Sequence, residues 1–359
     1  MGGIRTILAL IVVINHSEPV FGLKFLGNEL AVQTFYIISG FYMALILNEK
    51  YIGINKSYKL FITNRLLRLY PIYWSVLACI IGISLFYGIY SGGEKFGFLN
   101  KFIAEGHHLN PMNLIFVIFS NLTIVFQDVL LFMEVNQTTG SFFFQPNFDH
   151  NQLNGFDFLL IPQAWTVALE IIFYLIAPFI VRRKTAIILA IFLLFVGIRL
   201  VTFYGLELTN APWNFRFFPN EMVFFLLGVL AYKYYKFEGI QLSQTHYLKA
   251  IYGAVLLLIF GYDFLRFDSS HLIFALLFSL ALPYLFSLFK DAKIDRYIGE
   301  LSYPIYICHM FVISVMNELD YYFFGSKVFT VIVISIGFSI ILKHLVSDKV
   351  ERYRQKRVQ

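Results

Sequence analysis

The sequence predicts an all-α integral membrane protein, a polytopic bundle of about ten membrane-spanning helices. Of its 359 residues 58% are hydrophobic and 14% are charged, whereas about 25% of residues in soluble domains are charged. Apolar runs of about 20 residues recur along the chain, and each is long enough to cross roughly 30 Å of hydrocarbon as a helix. Lysine and arginine cluster between these runs, so the net charge of +6 indicates membrane orientation and no nucleic acid partner.

Ten of the apolar runs are expected to cross the membrane. The predicted spans are 4–22, 29–48, 69–90, 163–181, 185–204, 216–235, 248–264, 270–289, 301–319 and 328–346. The first run has the length of a signal peptide, but polar residues without a small-residue cleavage site follow it, which favours a retained span. We expect residues 1–359 to form a single transmembrane domain without an appended soluble domain.

An eleventh apolar run, 112–133, is predicted not to cross. It contains Asn113, Asn121, Gln127 and Asp128. The basic segments 49–68 and 343–359 are both expected on the cytoplasmic side, and a crossing at 112–133 would place them on opposite sides. This run is therefore expected to lie at the interface or dip into the membrane. Both termini then become cytoplasmic, and 134–160 becomes an outward-facing loop long enough to cover a site.

The first predicted span begins with Arg5 and continues to His16. Eleven residues return a helix to nearly the same face with a rise of about 16.5 Å. Arginine binds phosphate through a permanently charged fork, and histidine moves protons near neutral pH. The pair suits a long ligand with an anionic head and a reactive tail. Alternatively, Arg5 snorkels to the interface and His16 is hydrogen-bonded within the bundle.

Small and basic residues mark the next two spans. Ser39, in IISGFYMAL, allows close approach of a ligand or of another helix. Arg65 and Arg68 are three residues apart and share a helix face, just before the predicted third span and with Pro71 near its start. With Arg5 they could form a phosphate clamp, or they could bind anionic lipid head groups and fix topology.

Two later spans carry polar groups in their apolar interiors. Glu170 lies in the middle of QAWTVALEIIFYLIAP and predicts either a functional carboxylate or an ion pair. Tyr303, Tyr306 and His309 follow one another at i, i+3 and i+6, with Ser302 and Pro304 at the expected helix start, and could be a site or a hydrogen-bonded stripe. Asn220 and Glu221 give the sixth span a polar face. Cys79 and Cys308 lack the spacing of a metal site, and we expect neither a metal nor a permanently bound cofactor.

Taken in order, these motifs resemble the acyltransferase-3 family of bacterial membrane O-acyltransferases over nearly the whole chain. The matching residues are Arg5 and His16, Ser39 to Phe41, Arg65 and Arg68, Trp165 and Glu170, and Ser302, Tyr303, Tyr306 and His309. The sequence departs from the family pattern at Thr166, where serine is usual, at Ile171, where a second glutamate is common, and at Pro304.

The resemblance implies transfer of an acyl group, most often acetyl, from cytoplasmic acyl-CoA to a hydroxyl of a carbohydrate or glycolipid. The implied location is the bacterial inner membrane, among membrane lipids, as a monomer or a homodimer. Arg5, Arg65, Arg68 and Ser39 would bind the acetyl-CoA donor, and Trp165, Tyr303 and His309 would bind substrate. His16 would act as general base or carry the acyl group, and Glu170 or Tyr306 would orient it or the acceptor.

Two other classes of function share these residue types. Intramembrane Arg, His and Glu also occur in proton-coupled transporters and flippases of sugar-type substrates. The sequence shows none of the internal symmetry that carriers often have. In a binding or scaffold protein the same polar residues would only pack the bundle.

Overall fold

Apolar helices make up most of the structure. The computed structural model describes residues 1–93, 96–148, 152–238, 245–265 and 270–358. The helices are α1 Gly2–His16, α2 Gly27–Glu49, α3 Tyr58–Tyr90, α4 Asn100–Glu105, α5 Pro111–Thr123, α6 Trp165–Ile180, α7 Thr185–Leu200, α8 Phe218–Glu238, α9 Thr245–Gly261, α10 Ser270–Phe289, α11 Lys293–Leu319, α12 Lys327–Leu342 and α13 Asp348–Lys356. Two short strands, β1 Met133–Val135 and β2 Phe142–Phe144, pair as an antiparallel hairpin.

The predicted helical membrane bundle is confirmed. Within the described residues, eight helices are long and apolar enough to cross a membrane. Helix α1, with 15 residues, spans only about 22 Å and is not one of them. Helix α8 is another exception, since charged residues such as Glu221 and Lys233 interrupt its apolar sequence. Both helices nevertheless occupy the centre of the bundle, where α1 packs against α11 and α2, and α8 packs against α2.

Helices α2 and α8 touch through their backbones. A Cβ atom added at Gly40 would lie 1.9 Å from the carbonyl oxygen of Phe225, and one added at Gly228 would lie 1.9 Å from that of Ile37. Beside this contact the rings of Tyr36 and Phe225 stack at 4.5 Å. Small residues are what allow membrane helices to approach so closely, so these two glycines set the spacing of the central helix pair.

Helices α1 and α11 also meet at glycines. A Cβ atom added at Gly299 would lie 2.4 Å from the Cα atom of Gly2. The Asp295 carboxylate accepts hydrogen bonds from the backbone N–H groups of Gly2 at 2.6 Å and Gly3 at 2.8 Å. A carboxylate at a helix N-terminus satisfies free N–H groups and complements the helix dipole. The contact therefore fixes α1 lengthwise against α11.

Three predicted spans have wrong boundaries. Helix α1 ends at His16 and not at residue 22, because Ser17 turns its hydroxyl back to the carbonyl of Val13 at 2.9 Å and Pro19 follows. Helix α3 begins at Tyr58 and not at 69, capped by the Ser57 hydroxyl. Helix α11 begins at Lys293 and not at 301. A hydropathy profile detects only the part of a helix that lies in hydrocarbon, and helices α3 and α11 continue beyond that part.

The early starts of α3 and α11 correct the placement of several motif residues. Arg65 and Arg68 lie inside α3, and Pro71 lies in its interior. Ser302 and Pro304 lie inside α11 and not at its start. The basic and polar motif residues are therefore held on rigid helices and not on flanking loops.

The segment 112–133 does not form a spanning helix. Helix α5 has 13 residues, about 20 Å in length, and is followed by a 3₁₀ turn and the hairpin. Tyr70, Tyr73 and Trp74 of α3 donate to the carbonyl oxygens at the end of α5, which have no N–H donors within their own helix. Part of the predicted outward-facing loop, residues 149–151, lies outside the described residues.

The polar face predicted for the sixth span is a buried ion pair. Glu221 on α8 lies 3.2 Å from Arg199 on α7 and accepts a hydrogen bond of 3.1 Å from Gln33 on α2. Breaking such a pair would leave an uncompensated buried charge. These residues therefore connect three helices in the core.

The glycine contact between α2 and α8 predicts opposite effects for two Gly→Ala substitutions. Gly228→Ala should lower the free energy of unfolding by about 1–3 kcal/mol, because the methyl group overpacks the contact. Gly197→Ala on α7 should raise it by up to about 1 kcal/mol, since an added Cβ there meets nothing within 4 Å and alanine favours helix. Thermal unfolding of the purified protein in detergent measures both, and a Gly228→Ala variant as stable as Gly197→Ala would contradict the contact.

Candidate functional site

A cavity of about 480 Å³ opens among α1, α2, α3, α6, α11 and α13. Along α2 its wall extends from Val32 to Lys50, a separation of eighteen residues that corresponds to about 27 Å. Its mouth lies at the end of the bundle that carries the basic residues, and its inner end lies at Thr166 and Tyr306. The cavity therefore reaches most of the way across a hydrocarbon layer of roughly 30 Å.

Arg5, Arg65 and Arg68 line the outer part of this cavity. Among the described residues none of the three forms an ion pair, and the Nε of Arg65 is buried without a hydrogen-bond partner. Arg5 and Arg65 each interact electrostatically with Arg68, so the three guanidinium groups repel one another. Like charges held together near hydrocarbon need an anion between them.

Most of the acidic side chains around the mouth are engaged elsewhere. Asp295 caps α1, as described above. Glu300 and Asp348 both bind Lys343, at 3.1 Å and 2.7 Å, and Glu351 binds Arg354 of its own helix. Glu351 also interacts electrostatically with Arg65 and Arg68, but in the described part of the chain no carboxylate lies within ion-pair distance of the trio. The cavity mouth, which Lys50, Lys290 and Arg296 also line, is therefore basic and suited to a polyanion such as phosphate.

Glu170 lies on the cavity wall beside the arginine trio. Its Oε1 accepts hydrogen bonds from the Ser39 hydroxyl at 2.6 Å and the Tyr174 hydroxyl at 2.5 Å, and its carboxylate interacts electrostatically with Arg5. Ser39 thus connects α2 to α6 through Glu170. The hydrogen bonds of Glu170 place it on the cationic half of the cavity and not at His16.

Tyr306 forms the inner end of the cavity. Its hydroxyl accepts a hydrogen bond of 3.0 Å from Thr166, and its ring packs edge-on against Phe35 at 6.2 Å. Three residues before it, Tyr303 donates to the carbonyl oxygen of Leu69 at 3.0 Å. This bond fixes α11 to α3 at the middle of the cavity.

Two imidazoles lie beyond Tyr306. The His309 ring is 5.8 Å from the Tyr306 ring and 5.1 Å from the His16 ring. In each histidine Nδ1 faces a backbone carbonyl, that of Val12 at 3.0 Å for His16 and that of Tyr306 at 2.7 Å for His309. Because a carbonyl only accepts, Nδ1 carries the proton of each neutral ring and Nε2 is free to accept one. The Nε2 of His309 is buried without a partner.

The structure brings most of the predicted site residues to one cavity. Those that line it are Arg5, Ser39, Arg65, Arg68, Glu170, Tyr303 and Tyr306. His16 and His309 lie behind its inner end. Trp165 also lies outside the cavity wall, buried at the start of α6, with Phe215 packed edge-on against it at 5.4 Å. Arg5 thus lies on the cavity wall, whereas His16 lies behind the inner end of the cavity.

Three residues near His16 were not predicted. Thr166 and Gln163 connect α6 to α11 through hydrogen bonds to the Tyr306 hydroxyl and to the Ile307 carbonyl. Arg216 lies with its guanidinium carbon 5.3 Å from the Trp165 ring and interacts electrostatically with His16 and Tyr306. An arginine at the edge of an apolar run was the only sequence signal for it.

The arrangement can accommodate a polyanion at the arginine trio, with a chain that extends from it along the cavity toward Tyr306. Behind Tyr306 lie two imidazoles whose Nε2 atoms can accept a proton.

Comparison with known proteins agrees with this geometry. A family model described as an acyltransferase domain, that of the acyltransferase-3 family, matches residues 1–344. Neither the curated proteins nor the solved structures include a significant match.

The hydrogen bond between Thr166 and Tyr306 predicts which side chains position 166 accepts. Thr166→Val should lower the free energy of unfolding by about 1 kcal/mol, since it removes a buried hydroxyl and leaves its partner atoms unsatisfied. Thr166→Ser retains the hydroxyl and should retain most of that stability. Thermal unfolding of the two variants side by side is the measurement, and equal losses would show that the hydroxyl does not matter.

Proposed function

The chain belongs to the acyltransferase-3 family and is a membrane acyltransferase, and from this membership we propose that it is an O-acetyltransferase. It would move an acetyl group from cytoplasmic acetyl-CoA to a hydroxyl of a surface or lipid-linked carbohydrate in the bacterial inner membrane. One observation carries the proposal. A single cavity has the unpaired arginine trio at its mouth and ends at Tyr306, behind which lie His309 and, next to it, His16.

The donor would bind with its phosphates on Arg5, Arg65 and Arg68. Arginine forks match phosphate oxygens in pairs, and the trio has no competing carboxylate ion pair among the described residues. The pantetheine arm would then follow α1 and α2 inward. The cavity wall along α2, about 27 Å in length, provides the length that an extended thioester arm requires, and the thioester would stop at Tyr306.

The transfer step would use His16 as general base. Its Nε2 removes the proton from the acceptor hydroxyl while that oxygen attacks the thioester carbonyl. The new C–O bond forms, the C–S bond breaks, and the thiolate of coenzyme A takes the proton back from the imidazolium. Because Tyr306 and His309 separate the cavity from His16, the Tyr306 ring must move aside for the thioester carbonyl to reach the acceptor.

The other predicted residues would support this step. Glu170, held by Ser39 and Tyr174, would position Arg5 electrostatically and act on the donor side. His309, with its unpartnered Nε2, would accept a hydrogen bond from a substrate hydroxyl. Trp165 and Tyr303 would hold the acceptor and the donor arm on either side of Tyr306.

Removal of the general base should abolish transfer without unfolding the protein. In His16→Ala we expect kcat to fall by about 10²–10⁴-fold, because only water remains to take the hydroxyl proton. Turnover of radiolabelled acetyl-CoA by membranes that contain the variant is the measurement. His107→Ala, at an exposed histidine, is the control. Wild-type turnover in His16→Ala would exclude His16 from the chemistry, and a trapped acyl-histidine in the wild type would indicate the covalent route instead.

Loss of a cation at the cavity mouth should weaken donor binding. We expect Arg5→Ala and Arg68→Ala each to raise the KM for acetyl-CoA about 10-fold, the effect of losing roughly 1.4 kcal/mol of phosphate contact. Added salt should reduce the difference from wild type. Arg183→Ala removes an exposed arginine whose Nε bonds only a backbone carbonyl and should leave KM unchanged. Equal KM values for Arg5→Ala and wild type would contradict the phosphate role.

A further inference from the structure

Arg216 is held in a cage of aromatic rings from three separate segments. Its guanidinium carbon lies 4.9 Å from the ring centre of Phe215, 5.3 Å from that of Trp165 and 5.5 Å from that of Phe156. Such contacts attract a cation through the ring quadrupoles and limit its rotation. The guanidinium therefore has a fixed position just before α8.

The guanidinium of Arg216 has no hydrogen-bond or ion-pair partner among the described residues, and its Nε is buried. The other arginines packed into the bundle differ in this respect. Arg199 binds Glu221 and the Asn220 carbonyl, and Arg182 binds the carbonyl oxygens of Leu47 and Tyr51. Arg216 is partly buried, and a guanidinium withdrawn from water without a counter-charge is destabilising. Since an apolar side chain would fill an aromatic cage at lower cost, the cage by itself does not account for the arginine.

Arg216 lies on the far side of the reaction centre from the arginine trio. It interacts electrostatically with Tyr306, at the inner end of the cavity, and with His16, which lies beyond that end. Its cage includes Trp165 from the start of α6 and Phe156 from the loop before α6, whereas the trio lies at the opposite end of the bundle. Unpaired cations thus flank the histidines on both sides.

We propose that Arg216 binds an anionic group, a carboxylate or a phosphate, on the acceptor and so selects charged acceptors. This inference rests on the proposed function, in which the trio holds the donor from one side and the acceptor comes from the other. A bidentate pair with the planar fork would fix the distance between the acceptor's anion and its reacting hydroxyl near His16. The rings of Trp165 and Phe215 would exclude water from that pair and strengthen it.

Binding of small probes to the purified full-length chain tests the proposal without requiring turnover. The carboxylate arm compares methyl β-D-glucuronide with methyl β-D-glucoside, which differ only at C6. The phosphate arm compares glycerol 1-phosphate with glycerol. Quenching of tryptophan fluorescence reports binding, because Trp165 lies in the cage. Coenzyme A is present at saturation to occupy the arginine trio, and the Arg5→Gln, Arg68→Gln double variant replaces it if coenzyme A does not bind.

We expect the wild type to bind the charged member of at least one pair 10-fold or more tightly than the neutral member. Arg216→Gln should reduce that preference to within 2-fold. Arg216→Lys should leave an intermediate preference, since an ammonium keeps the charge but loses the fork. Arg183→Gln should behave as wild type. The arm with the larger preference identifies the anion as a carboxylate or a phosphate.

Three results would overturn the proposal. The wild type could bind charged and neutral probes equally in both arms, a measurement that does not depend on the folding of any variant. The preference for charged probes could persist in Arg216→Gln. It could also disappear when coenzyme A occupies the arginine trio or when the double variant removes two of its charges. Failure of the proposed function gives a different pattern, in which the preference for charged probes is present but no acetyl group is transferred from acetyl-CoA.

Discussion

A charge inside a membrane bundle must be neutralised, and this constraint separates the arginines of this chain into two groups. Arg199 is neutralised by Glu221, and Arg182 is bound by backbone carbonyls at the end of α2. These arginines hold helices together. The other group lacks any such partner among the described residues and consists of Arg5, Arg65, Arg68 and Arg216. Since the cost of an unpaired guanidinium is offset only when an anion binds, we propose that the second group marks where charged substrates bind.

Helix crossings at glycine place the chemical groups. The contact between Gly2 and Gly299 fixes α1 lengthwise on α11, and the same helix pair brings the His16 and His309 rings to 5.1 Å. The close approach of α2 and α8, at Gly40 against Phe225 and at Gly228 against Ile37, holds α2, whose Ser39 donates a hydrogen bond to Glu170 on α6. Residues that never touch a substrate therefore determine the distance between the cationic mouth and the imidazoles.

The sequence predicted the helical bundle and the non-crossing segment because apolar length is a local property. It misplaced the starts of α3 and α11, because both helices begin with polar residues outside the membrane, and a hydropathy profile detects only the apolar part of a helix. Helical periodicity placed Arg5 and His16 on one helix face but left open that they only snorkel and pack, and it was the ordered motifs of the family that pointed to them and to the cavity residues as a site. The aromatic cage of Arg216 could not be predicted, since it forms only when Phe156 and Trp165 fold against Phe215 and Arg216, about 50 residues further along the chain.

The side chains of Thr166, Tyr306 and His309, which close the inner end of the cavity, also affect where the membrane voltage acts. With the mouth on the cytoplasmic side, as in the proposed function, a water-filled cavity would carry the cytoplasmic potential inward as far as Tyr306. Most of the voltage across the bilayer would then fall over the thin layer of side chains behind Tyr306, where the local field would be steeper than in an intact bilayer. In the proposed reaction, a proton that moves between His16 and the cavity would cross this field. The membrane potential of the cell would thereby become one of the forces acting on the reaction.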